Sequence, residues 1–148
     1  MSIGEYYEKR IASSETYIQE KQEENAQYAQ QEEQKKGLLQ QQIKRKNLLS
    51  ARIKAVQRNL ENFVRDNGGV FGLTDKQERE YSKLMDERSI LRASLKDASS
   101  LRYNLAQNIT SLSNRQYSNY MSIFNETLGI GELKNQQHLF SALSSDLA

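Results

Sequence analysis

One spacing constrains this chain more than any other feature. From Tyr7 a strict alternation of four and three residues runs without a slip through Ile11, Ser14, Ile18, Lys21, Asn25, Tyr28, Glu32, Lys35, Leu39, Gln42, Lys46, Leu49, Ile53, Val56 and Leu60 to Phe63. Ten of these seventeen positions are apolar, and they are densest between Leu49 and Phe63. A 3.5-residue repeat is the signature of a helix whose apolar seam must be covered by another helix. Period-two alternation occurs nowhere in the sequence, so strands do not compete.

The second half repeats the pattern. Gln77, Tyr81, Leu84, Arg88, Leu91, Leu95, Ala98, Arg102, Leu105, Ile109, Leu112, Gln116, Asn119 and Ile123 keep the same spacing, nine of the fourteen being apolar. Near Leu112 a second stripe begins, formed by Tyr117, Tyr120, Phe124 and Leu128; it predicts a local slip of register. Between the halves lies Asp66-Asn67-Gly68-Gly69, residues that tolerate positive φ and stop a helix. Thr74 followed by Gln77 is a capping-box pattern, and Asp75 and Glu78 put negative charge in the first turn of the next helix. The expected fold is therefore all-α: a long antiparallel two-helix coiled-coil hairpin, with arms at about 5–65 and 75–128 and a turn at 66–74. Folding back about Val70 places Leu60 near Tyr81, Val56 near Leu84 and Leu49 near Leu91. Val70, Phe71 and Leu73 are expected to cap the tip, and Tyr103, Tyr117 and Tyr120 to pack on Tyr6, Tyr7 and Tyr17 at the open end.

Composition supports a narrow fold. Apolar residues make up 36% of 148 positions, too few to fill a compact core of this size. Proline is absent, so nothing forces a helix to stop by removing a donor. Cysteine is absent too, which excludes disulfides and thiolate metal sites and fits a reducing, cytoplasmic setting. No apolar run approaches the 18 residues of a membrane span.

Charge is arranged in blocks. Residues 1–34 carry three basic and eight acidic side chains, and residues 35–65 carry nine basic and one acidic. Within the basic block Lys44, Arg45, Arg52 and Arg58 are the candidate phosphate contacts of a nucleic-acid-binding helix. The block has no interleaved aromatic residues for base stacking, and the adjoining acidic block repels a polyanion. Nucleic acid is thus the alternative partner, not the expected one. His138 has no second ligand or orienting carboxylate at helical spacing, and the central glycines lack the lysine of a phosphate loop. No catalytic residue, metal site or cofactor site is expected.

Gly129 and Gly131 are expected to end the second arm. The remaining segment, 129–148, then forms a short C-terminal amphipathic helix with Leu133, Phe140, Leu143 and Leu147 near one face. A short amphipathic helix needs a groove to be stable, so those four side chains either pack on the open end of the hairpin or serve as the candidate anchors for a protein partner. The layout of two long arms, a central turn and a mixed-charge surface resembles the stalk proteins of flagellar and type III export ATPases. It is also similar in size to helical export chaperones. The small hairpin substrates of type VII secretion differ, because this chain has neither a Trp-x-Gly turn nor a Tyr-x-x-x-Asp/Glu signal after the hairpin. The resemblance implies a non-enzymatic coiled-coil protein-interaction module acting as adaptor, stalk or chaperone. Its expected partners are proteins, self-association included, with no insertion into membranes.

Overall fold

A computed structural model describes residues 2–147, the side chains of 144–147 excepted. Two helices make up the fold, α1 (Ile3–Asp66) and α2 (Asp75–Leu147), packed against each other as an antiparallel hairpin. Every position of the predicted α1 seam is buried or half-buried. On α2 the same holds for every predicted seam position except Arg102, which is exposed. The nine buried side chains among the described residues are Tyr7, Asn25, Leu49, Val56, Leu60, Phe63, Ala98, Leu112 and Asn119, and all nine belong to the seam.

The turn follows from its residues. Gly68 (φ 68°) ends α1 in the left-handed conformation, where a Cβ is costly. The Gly69 N–H donates to the Val64 carbonyl at 2.8 Å and the Gly68 N–H to the Arg65 carbonyl at 3.4 Å, a Schellman arrangement. The start of α2 is capped reciprocally. The Gln77 N–H donates to Thr74 Oγ1 at 3.2 Å, and the Thr74 N–H donates to Gln77 Oε1 at 2.9 Å. Gln77 Nε2 also donates to Asn67 Oδ1 at 2.7 Å, while Asn67 Nδ2 donates to the Phe63 carbonyl at 2.8 Å. One glutamine therefore ties the end of α1 to the beginning of α2.

The chain divides into two compact units. The first joins residues 1–34 of α1 to 109–148 of α2, and the second contains residues 35–108 with the turn. In the second, Leu49, Val56, Leu60, Phe63 and Ala98 are buried, and the Phe63 ring lies 5.6 Å from that of Tyr81. Leu60 borders a groove with Tyr81 and Met85. Of the expected cap at the tip only part forms: Leu73 is half-buried, whereas Val70 is 38% and Phe71 94% exposed.

The first unit corrects three expectations. α2 does not stop at Gly129 and Gly131 but continues as helix to Leu147. Neither glycine has positive φ, and the seam runs on through Glu126, Ile130, Leu133 and Gln137, all half-buried. Burial along the seam offsets the roughly 1 kcal/mol that each glycine costs a helix. Nothing lies within 4 Å of a Cβ built at either glycine, so no packing requirement explains them. The expected slip near Leu112 is also absent: Tyr117, Tyr120, Phe124 and Leu128 are exposed, and the first seam keeps its place through Asn119 and Ile123. The open end is closed by Phe140, whose ring lies 5.9 Å from Tyr7, and not by Tyr117 or Tyr120.

Candidate functional site

Two features of the first unit go beyond what a hairpin needs for packing. The first is a polar layer inside the seam. Asn119 Nδ2 donates to Asn25 Oδ1 at 2.8 Å and to Glu24 Oε1 at 3.1 Å. Asn25 Nδ2 in turn donates to the Gln116 carbonyl at 3.3 Å, and Gln116 Nε2 donates to Glu32. Arg115 sits 5.8 Å from the centre of the Tyr28 ring. Among the described residues no buried side-chain nitrogen or oxygen lacks a partner. The hydrogen bonds from Asn119 and Tyr28 hold the Glu24 carboxyl below its ordinary value of 4.5. Such a layer specifies register, because sliding either helix strands these groups against apolar neighbours.

The second feature faces outward. Labelling the seam positions a and d, Tyr117, Met121, Phe124 and Leu128 occupy the outer positions b and f at four-three-four spacing, with Tyr120 beside them. They are 67%, 43%, 57%, 55% and, for Tyr120, 61% exposed. Outer positions carry no charged residue from Thr110 to Gly131, the only charges in that span being Arg115 and Glu126 near the seam. With aromatic side chains of about 150–250 Å² each, the stripe exposes on the order of 500 Å² of largely apolar surface. That is at the upper end of what a soluble monomer leaves open.

The residues singled out as partner anchors are not brought together as one free face. Leu133 lies half-buried in the seam, Phe140 meets Tyr7, and Leu143, three residues beyond Phe140, is 56% exposed. The side chain of Leu147 falls outside the described residues. The four basic candidates are likewise divided. Lys44, Arg52 and Arg58 are exposed, whereas Arg45 is half-buried and pairs with Asp97 at 3.3 Å and Gln42 at 3.3 Å. His138 is exposed, and among the described residues no group of His, Asp and Glu is placed to hold a metal ion. Comparison with family models, with curated proteins and with solved structures finds no match.

Sequence reasoning identified four of the five stripe residues but assigned them to the seam; it missed Met121. The signal that separates the two was present. Continuing the first seam past Ile123 by the same rule reaches Ile130, Leu133 and Phe140, which leaves Tyr117, Tyr120 and Phe124 one position to the side and Leu128 two.

Proposed function

We propose that this chain is a non-enzymatic coiled-coil interaction module, an adaptor, stalk or chaperone of a secretion or export apparatus, working in the cytoplasm. The observation that carries the reading is the uncharged, aromatic-rich outer face of α2 between Thr110 and Gly131. Tyrosine, phenylalanine and methionine are the residue types enriched where proteins bind each other, and charge is depleted there. The hairpin holds this face on a helix whose other side is fixed by the seam. The export setting rests on the layout of arms and turn.

The reading is tested by placing a photo-crosslinking side chain at Tyr120 or Phe124, and as controls at the exposed positions Glu78 and Asp86 of the same helix. Protein adducts are expected from the first pair and not from the second. Equal labelling from both pairs, or none from the stripe, removes the basis for the proposal. A second reading has one observation in its favour: the unit made of residues 35–108 carries sixteen basic and eight acidic side chains. Submicromolar binding of duplex DNA or RNA at physiological salt would select it, since non-specific contacts to phosphate weaken steeply with salt.

A further inference from the structure

We infer that the stripe on α2 docks on a second copy of this chain, along an outer strip of α1 formed by Lys44, Leu48, Ala51, Ala55 and Arg58. The inference rests on the proposed interaction role and names its partner. Three observations carry it. The five α1 residues follow one another at four-three-four-three spacing, so they form a second outer row with the period of a coiled-coil seam. All five are exposed, Leu48 to 53%. The middle of the row is small and apolar, whereas both ends are cationic.

The stripe is its complement. Tyr117, Met121, Phe124 and Leu128 keep the same period, so large side chains of one helix can enter the spaces above Ala51 and Ala55 of the other. One of the two terminal cations, Lys44 or Arg58, then falls beside the Tyr117 ring at the end of the stripe. This chain already uses that contact: Arg10 lies over Tyr6 at 5.9 Å, Lys21 over Tyr17 at 5.6 Å and Arg115 over Tyr28 at 5.8 Å.

Charge selects the occupant. The unit that bears the stripe has five basic and eleven acidic side chains, net −6, while the unit that bears the α1 row is net +8. Two copies docked stripe to row bring opposite fields together, and two copies docked stripe to stripe do not. A contact between two different surfaces is heterologous, so it extends from copy to copy unless it closes into a ring. With about 500 Å² on the stripe side, below the ~800 Å² per partner of a stable complex, the association is reversible and concentration-dependent.

The test uses the full chain in sedimentation equilibrium. The wild type is expected to show an average mass that rises above 17.1 kDa with concentration. Its association should weaken at least about tenfold between 0.05 and 0.5 M salt. A stripe variant, Tyr117→Ser with Phe124→Ser, and a row variant, Lys44→Glu with Arg58→Glu, are each expected to stay monomeric while keeping wild-type helicity by circular dichroism. Mixed one to one, they retain one intact stripe and one intact row between them and should form a dimer and nothing larger. The conservative pair Phe124→Tyr and Arg58→Lys should associate as the wild type does. A wild type that stays monomeric at about 0.1 mM overturns the inference, as does a mixture that stays monomeric while the wild type associates. Crosslinks from Tyr120 to other proteins but never to this chain would also overturn it, and would leave the interaction role standing.

Discussion

At the scale of single residues, Asn119 does more than its size suggests. It is buried at a seam position where leucine would bury more apolar surface, yet its amide donates to both Asn25 and Glu24. Asn119→Ala removes both bonds and leaves the Asn25 side-chain oxygen without its donor, which costs about 1–3 kcal/mol. The loss should depend on pH. Glu24 has a lowered pKa in the folded protein, chiefly through Asn119, so it contributes stability above the ordinary value of 4.5 and loses it as pH falls through the folded value. Urea titrations should therefore show the gap between wild type and Asn119→Ala narrowing as pH falls from 4.5 downward. A gap that is constant with pH would mean that Asn119 and Glu24 are not coupled.

At the scale of elements, α2 shows how far local signals reach. The caps were legible: Thr74 and Gln77 bond as a capping box, and Gly68 ends α1 as a residue without a Cβ should. The seam was legible too, since period alone located all nine buried side chains. Gly129 and Gly131 misled because propensity is a local cost of about 1 kcal/mol each, and the partial burial of Ile130 and Leu133, with the contact of Phe140 on Tyr7, outweighs it. The outer stripe misled for the opposite reason. Apolar residues at helical spacing were assigned to packing, and only the position of the partner helix shows which of two adjacent stripes is covered. The tail is thus part of the seam, with a consequence for truncation. Removing residues 130–148 uncovers Tyr7 and deletes three seam contacts, a loss on the order of 3 kcal/mol at about 1 kcal/mol for each half-buried side chain. Thermal melting should fall by roughly 6–12 °C for a chain of this length. An unchanged melting temperature would return the tail to the status of a separable element.

At the scale of the whole molecule, the sequence predicted the charge blocks but not their correspondence with structure. The split between residues 34 and 35 coincides with a boundary between two compact units, and 109–148, nearly neutral, joins the acidic side. That pairing depends on which stretch of α2 lies beside which stretch of α1, and a one-dimensional charge profile does not contain it. The two units also differ in what they bury. Among the described residues, five buried apolar side chains and the bonded turn hold residues 35–108, whereas residues 1–34 and 109–148 bury two apolar side chains, Tyr7 and Leu112, and two asparagines.

The difference in burial sets an order of opening. A backbone amide exchanges its hydrogen with solvent only when its own segment opens, and the free energy of that opening rises with the apolar contact it breaks. Amides around Val56 and Leu60 should exchange slowly, near the rate of global unfolding. Those around Asn25 and Asn119 should exchange by smaller fluctuations, faster than the Val56 and Leu60 amides at the same pH. The hairpin then separates from its ends towards its turn, and the stretch of α2 that carries the exposed aromatic rings is among the first to part from α1. A deuterium-uptake map with uniform protection along both helices would contradict this order.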